Sequence, residues 1–202
     1  HRRETNRLNR MVLLLLVFAA TAYADLPQQD GRTHLGVATC ASGVCHGSVR
    51  ERSASRIPQN EFVVWSRIDP HRRAYQTLLS PLSREIAVNL GLANAHEAQI
   101  CLDCHADNVP IDRRGAKFQI DDGIGCEACH GGAEDYISTH TDPNAPRAAS
   151  IDAGLYPTDE YKARAALCLS CHLGTDKKIA SHDIMGAGHP RLSFELDTFG
   201  IL

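Results

Sequence analysis

The residues best able to do chemistry in this chain are eight cysteines and the histidines beside them. The cysteines fall in four pairs: Cys40 and Cys45, Cys101 and Cys104, Cys126 and Cys129, Cys168 and Cys171. A histidine follows the second cysteine of every pair: His46, His105, His130 and His172. Histidine makes up 11 of 202 residues. Independent placement would give four such coincidences about once in 10⁵ trials, and a disulfide framework predicts no such rule.

Three chemistries compete for this pattern. Disulfides suit an exported chain with an even cysteine count, but bridging residues three apart is strained. Tetrahedral zinc could use Cys and His ligands, yet structural zinc sites rarely place the His directly after the second Cys each time. Covalent haem accounts for every feature. Two thiols add to the two vinyl groups of one haem, and three residues from Cys to Cys span one helical turn, so both sulfurs meet one macrocycle edge. The next His reaches the iron as proximal ligand. "CLDCH", "CEACH" and "CLSCH" are regular; "CASGVCH" carries two extra residues, with Ala41, Ser42, Gly43 and Val44 small enough to bulge outward. The expectation is four haem c groups, with a three-haem chain carrying a Cys40–Cys45 disulfide as the alternative.

Each iron has a sixth position. Past residue 24 the only methionine is Met185, so at most one haem can be His/Met. The remaining distal ligands are His or are missing, and bis-His ligation favours low potentials. The candidates are His71 in "DPHRRAY", His140 in "YISTHTDP", His189 in "MGAGHPRL" and His96 ahead of the second motif. His96 lies too near His105 in the chain to cap that haem, and would serve another. His34 and His182 are weaker candidates.

The elements that must carry these residues read as mainly α with extensive loops, a compact multihaem cytochrome c fold organised around stacked haems. Aromatics are only 5% of the chain, so bound haem has to supply much of the apolar core. Residues 71–92 read as two helices broken at Pro81, and 158–174 as one helix capped by Thr158. His96 is expected on a short helix, 107–125 as a loop with a hairpin around Gly115, and 140–157 as irregular.

Residues 1–24 read as an export signal: Arg2, Arg3, Arg7 and Arg10, then "MVLLLLVFAA", then "AYA". Its apolar run is shorter than the ~20 residues a bilayer span needs; an uncleaved anchor is the alternative. Residues 25–202 are then one tetrahaem domain, periplasmic or extracellular, with no membrane span. Losing four Arg and one Glu moves the formal charge from −3 to −6. That disfavours nucleic acid and suits redox partners with a basic docking surface. An oligomer or filament, with a spare His such as His34 capping a neighbour's haem, is a further reading.

The chain resembles the multihaem family that includes the tetrahaem cytochrome c-554 of nitrifying bacteria. The likeness rests on "WSRIDPHRRAY", "GIGCEACHGGAEDYISTH" and "AGHPRLSFEL", and covers about residues 33–199. It is similar, too, to exported cytochromes opening with "HLGVATC…CHG". The resemblance implies haems in close pairs, mostly with two His each and one of them lacking a distal ligand, in proteins that mainly carry electrons. It implies that His71 caps the third haem (Cys126, Cys129, His130) and His140 the fourth (Cys168, Cys171, His172). The family also places a ligand His between its second and third motifs, whereas residues 106–125 contain none. That duty would pass to His189 or His96, for the first haem. The stretched first motif is another departure, and the stop soon after "FELDTFG" reads as a C-terminal truncation.

Two functions follow. One is an exported electron carrier with no catalytic residue. The other is a haem enzyme reducing a small nitrogen or sulfur compound at one five-coordinate iron, with Glu97, Asp103 and Arg191 as candidate polar groups. The number of distal His ligands separates them.

Overall fold

The computed structural model describes residues 25–54 and 57–200; the expected export signal lies outside the described residues. Short helices joined by loops make up the described chain. They are α1 (Glu61–Arg67), α2 (Ala74–Leu78), α3 (Pro81–Asn89), α4 (Gln99–His105), α5 (Cys126–His130), α6 (Ile137–Thr141), α7 (Arg147–Asp152), α8 (Tyr161–His172), α9 (His182–Gly186) and α10 (Leu196–Gly200). Among the described residues the β contact is a single parallel bridge between His34 and Arg114, and no helix is long and apolar enough to cross a membrane.

The break at Pro81 is as the sequence predicts. Pro81 opens α3 at a position where its missing N–H costs nothing, and the Ser80 hydroxyl accepts the Ser83 amide at 3.1 Å. Other expectations are corrected. The helix expected from Thr158 begins at Tyr161, because Pro157–Glu160 closes its own turn (Glu160 N to Pro157 O, 3.0 Å). No hairpin forms around Gly115. The Arg113 carbonyl and Gly115 amide bond to the His34 backbone instead, at 2.9 and 2.8 Å. Residues 140–157 are not wholly irregular, since α7 starts directly after Pro146. His96 sits in a turn ahead of α4, not on a helix.

The core is built from small side chains. Leu78, Ala87, Ala95, Leu102 and Ala106 form its main cluster, and among the described residues six of the sixteen buried hydrophobic ones are alanine. Such a core buries little apolar area per residue, in keeping with a chain that packs around a large apolar group.

Loop contacts fix the histidine-bearing segments. The Trp65 indole donates to the Ile124 carbonyl at 2.9 Å, and Arg72 lies over the Trp65 ring while donating to the Asp121 carbonyl. The Ile124 amide bonds to the His71 carbonyl at 3.1 Å. These contacts pin the turn bearing His71 to the loop entering α5. On the other side, Asn89 of α3 donates to the Ala187 carbonyl at 2.9 Å and holds the end of α9, from which His189 follows.

Candidate haem-binding centre

Each attachment motif has its own local scaffold. In the first, Cys40 ends a 3-10 turn (Val37–Thr39). The inserted residues fold back: the Cys45 and Gly47 amides both reach the Ser42 carbonyl at 2.9 Å, and the His46 amide returns to the Cys40 carbonyl at 3.2 Å. Val44 is left 74% exposed at the tip. The second, third and fourth motifs lie on α4, α5 and the last turn of α8.

None of the eight cysteines is joined to another. Their thiols meet across motifs. Cys40 hydrogen-bonds with Cys126, so Cys40 is held below its ordinary range and Cys126 is pushed up. Cys104 hydrogen-bonds with Cys171 in the same way. That bond, aided by the Lys178 ammonium 3.0 Å from the sulfur, brings Cys171 down to about 5, while Cys104 moves up. The first and third motifs are therefore neighbours, as are the second and fourth.

The histidines are brought together in three pairs. His46 and His140 have ring centres 5.9 Å apart with planes 13° apart. His71 and His172 are 6.1 Å apart at 82°, and His105 and His189 are 6.3 Å apart at 72°. Two imidazoles on opposite faces of one metal, with bonds of about 2 Å, have centres about 6 Å apart. The ring nitrogens are set for this. Nδ1 donates to the Ala74 carbonyl in His105 (3.0 Å) and to the Pro190 carbonyl in His189 (2.7 Å). Nδ1 meets Glu61 in His46 and Asp69 in His71, each at 2.9 Å. A partner on Nδ1 fixes the tautomer that leaves Nε2 for a metal. Burial lowers the pKa of His105, His130, His140 and His172, favouring the neutral ring that ligates.

This pairing differs from the one the family resemblance implies. His71 stands beside His172 of the fourth motif, not His130 of the third. His140 stands beside His46 of the first, not His172. His189 stands beside His105 of the second rather than the first. The reason is packing: the loop before α5 holds His71, and α3 carries the end of α9, contacts made between segments far apart in sequence. Among the described residues no second imidazole is in ring contact with His130, whose charged neighbours are His46, His140 and Glu61.

The remaining histidines fall elsewhere. His96 is half-buried with Nε2 3.9 Å from Glu97, and His182 is exposed at the start of α9; neither is in ring contact with a motif His. His34 is fully buried, with Nδ1 2.7 Å from Asp107. Burial opposes its charge, but Asp107, with Glu127 and Asp30, outweighs burial and raises its pKa. Of the candidate polar groups, Glu97 binds Asn94 and Asp103 binds Asn108, each at 2.6 Å, and Arg191 is exposed.

Sequence reading missed Glu127, Asp107, Lys178 and Phe194, which stacks on His172 with ring centres 4.3 Å apart. The one available signal was Glu127, an acid placed between two cysteines of a motif.

Residues 39–131 match the family model described as cytochrome c554 and c-prime, a span containing the first three motifs. No curated protein matches, and no solved structure does. With the repeated Cys-to-His motifs and the paired imidazoles, this match supports a c-type cytochrome that resembles the cytochrome c554 family over that span.

Proposed function

We propose that this chain is an exported tetrahaem cytochrome that passes electrons between redox partners through closely spaced, mostly bis-His haems. The observation that carries the reading is the set of three His pairs with ring centres 5.9–6.3 Å apart, each joining a motif His to a His from a distant segment. Cys40, Cys45 and His46 would hold the first haem with His140 as cap. Cys101, Cys104 and His105 would hold the second with His189, and Cys168, Cys171 and His172 the fourth with His71. Cys126, Cys129 and His130 would hold the third. Bound haem would supply one-electron redox chemistry at its iron. The chain's own part is to keep the rings fixed through Nδ1, so that ligation changes little on reduction, and to bring the attachment points together. The Cys40–Cys126 and Cys104–Cys171 contacts support close pairs, first with third and second with fourth. The net charge of −6 past residue 24 suits a basic partner surface.

His130 favours a second reading, reduction of a small nitrogen or sulfur compound at an open third haem. It is the motif His without a ring partner among the described residues.

Low-temperature EPR of the oxidised, haem-loaded protein tests both. Low-spin signals alone, with no carbon monoxide binding after reduction, fit the carrier and end the enzyme reading. One high-spin haem that binds carbon monoxide ends the carrier-only reading.

A further inference from the structure

Glu127 lies inside the third attachment motif, between Cys126 and Cys129, and is 2% exposed. Its carboxylate accepts three backbone N–H groups. Oε1 takes those of Leu35 at 2.7 Å and Ala133 at 2.8 Å, and Oε2 takes that of Gly36 at 2.7 Å. Among the described residues no Lys or Arg pairs with it. Burial raises its pKa, against the pull of the three amide donors and of the nearby His34. Donors converging on both oxygens suit a carboxylate, which is acceptor-only when ionised.

The position of this group matters more than its burial. Residues 35 and 36 lead through the 3-10 turn directly to Cys40, and Cys40 meets Cys126, the residue before Glu127. One side chain therefore fastens the approach to the first motif, the body of the third motif and the turn after His130. The backbones come close to allow it. Gly36 has φ +96°, and a Cβ there would strike the Lys117 carbonyl; a Cβ on Gly132 would stand 2.8 Å from the Thr33 carbonyl. Its charge also acts on its surroundings. The Tyr136 phenol is pushed up, first by burial and next by Glu127.

We infer that Glu127 is a positioning residue of the electron path: its buried carboxylate fixes the first and third haem sites relative to each other and, as an anion in a low-dielectric setting, lowers the reduction potentials of those two haems. A fixed negative charge near an iron opposes addition of an electron. The inference rests on the tetrahaem reading.

The test compares haem-loaded wild type, Glu127→Gln and Glu127→Asp. Haem content comes from the pyridine haemochrome, and midpoint potentials from a spectroscopic redox titration. EPR reports magnetic coupling between haems. Wild type with fewer than four haems overturns the tetrahaem reading, separately from the role of Glu127. With four haems present, Glu127→Gln is expected to raise two of the four potentials and leave two unchanged. Glu127→Asp, which keeps the charge on a shorter arm, is expected to restore the potentials while altering the coupling of one pair. A four-haem Glu127→Gln protein with all potentials unchanged overturns the inference. If Glu127→Gln loads incompletely, peptide mass mapping decides: haem lost from the first and third motifs supports it, and haem lost from the second or fourth overturns it.

Discussion

The His71 imidazole stands edge-on to that of His172, with ring centres 6.1 Å and planes 82° apart. His71 belongs to the turn before α2 and His172 to the last residue of α8, yet the two sit at the spacing that one shared metal requires. Asp69 holds the first ring through Nδ1, and Phe194 stacks on the second. On the proposed reading, the pair places His71 with the fourth motif.

His71→Ala is therefore expected to convert one low-spin haem to high spin. It should still do so when the third motif has been removed by Cys126→Ala with Cys129→Ala. EPR of the two haem-loaded proteins checks this. No new high-spin signal in the second background would return His71 to the third haem.

Ring-plane angles give a second expectation. Near-parallel imidazoles separate the iron orbitals that point between the ring planes, and near-perpendicular ones leave them close in energy. The His46–His140 haem, at 13°, should give a rhombic low-spin signal. The haems of His71–His172 and His105–His189, at 82° and 72°, should give strongly anisotropic ones. His140→Ala should remove the rhombic signal alone; loss of an anisotropic signal instead would contradict the pairing.

Intact mass spectrometry addresses the stretched motif. Its folded-back loop brings the His46 amide to the Cys40 carbonyl, so the first motif should be loaded like the others. Wild type is expected to carry four haems, and Cys40→Ala with Cys45→Ala three. Equal counts in both would favour the three-haem alternative.

The His34–Asp107 pair makes stability depend on pH. The folded-state pKa of His34 lies above its ordinary 6.5, so its contribution is complete below 6.5 and fades as pH rises through the raised value. Thermal denaturation of the haem-loaded protein should show a decline over that range. Asp107→Asn should flatten the decline and, below it, cost about 3–5 kcal/mol, the usual result of breaking a buried ion pair. An unchanged pH profile in Asp107→Asn would remove the pair as its cause.

Leu102 is 7% exposed within the main apolar cluster. Leu102→Ala should cost roughly 2–5 kcal/mol, read from denaturant unfolding of the haem-loaded protein. A loss under 1 kcal/mol, about the value of one methylene, would show that the bound haems and not this cluster hold α2, α3 and α4 together.

The chemistry was legible in the sequence because it is local. A cysteine pair and the next histidine lie within one turn of chain, so "CLDCH", "CEACH" and "CLSCH" announce their role without a fold. The break at Pro81 and the run into His172 were legible for the same reason, since caps and apolar spacing act over a few residues. What surrounds residue 115 was not. Its backbone groups bond to His34, far upstream, and no local pattern reports a partner at that distance.

Ligand pairing, too, belonged to the tertiary structure. Past residue 24, sequence offered six histidines outside the motifs. Which ring meets which depends on Trp65 and Arg72 anchoring the loop before α5, and on Asn89 holding the end of α9. The same holds for Glu127, an unremarked letter inside a motif until three amides from two separate segments converge on it. Residue type and short spacing determined which residues are the candidates for holding haem. Packing between distant segments decided how the sites are arranged, because an imidazole's position across an iron is set by everything that holds its backbone.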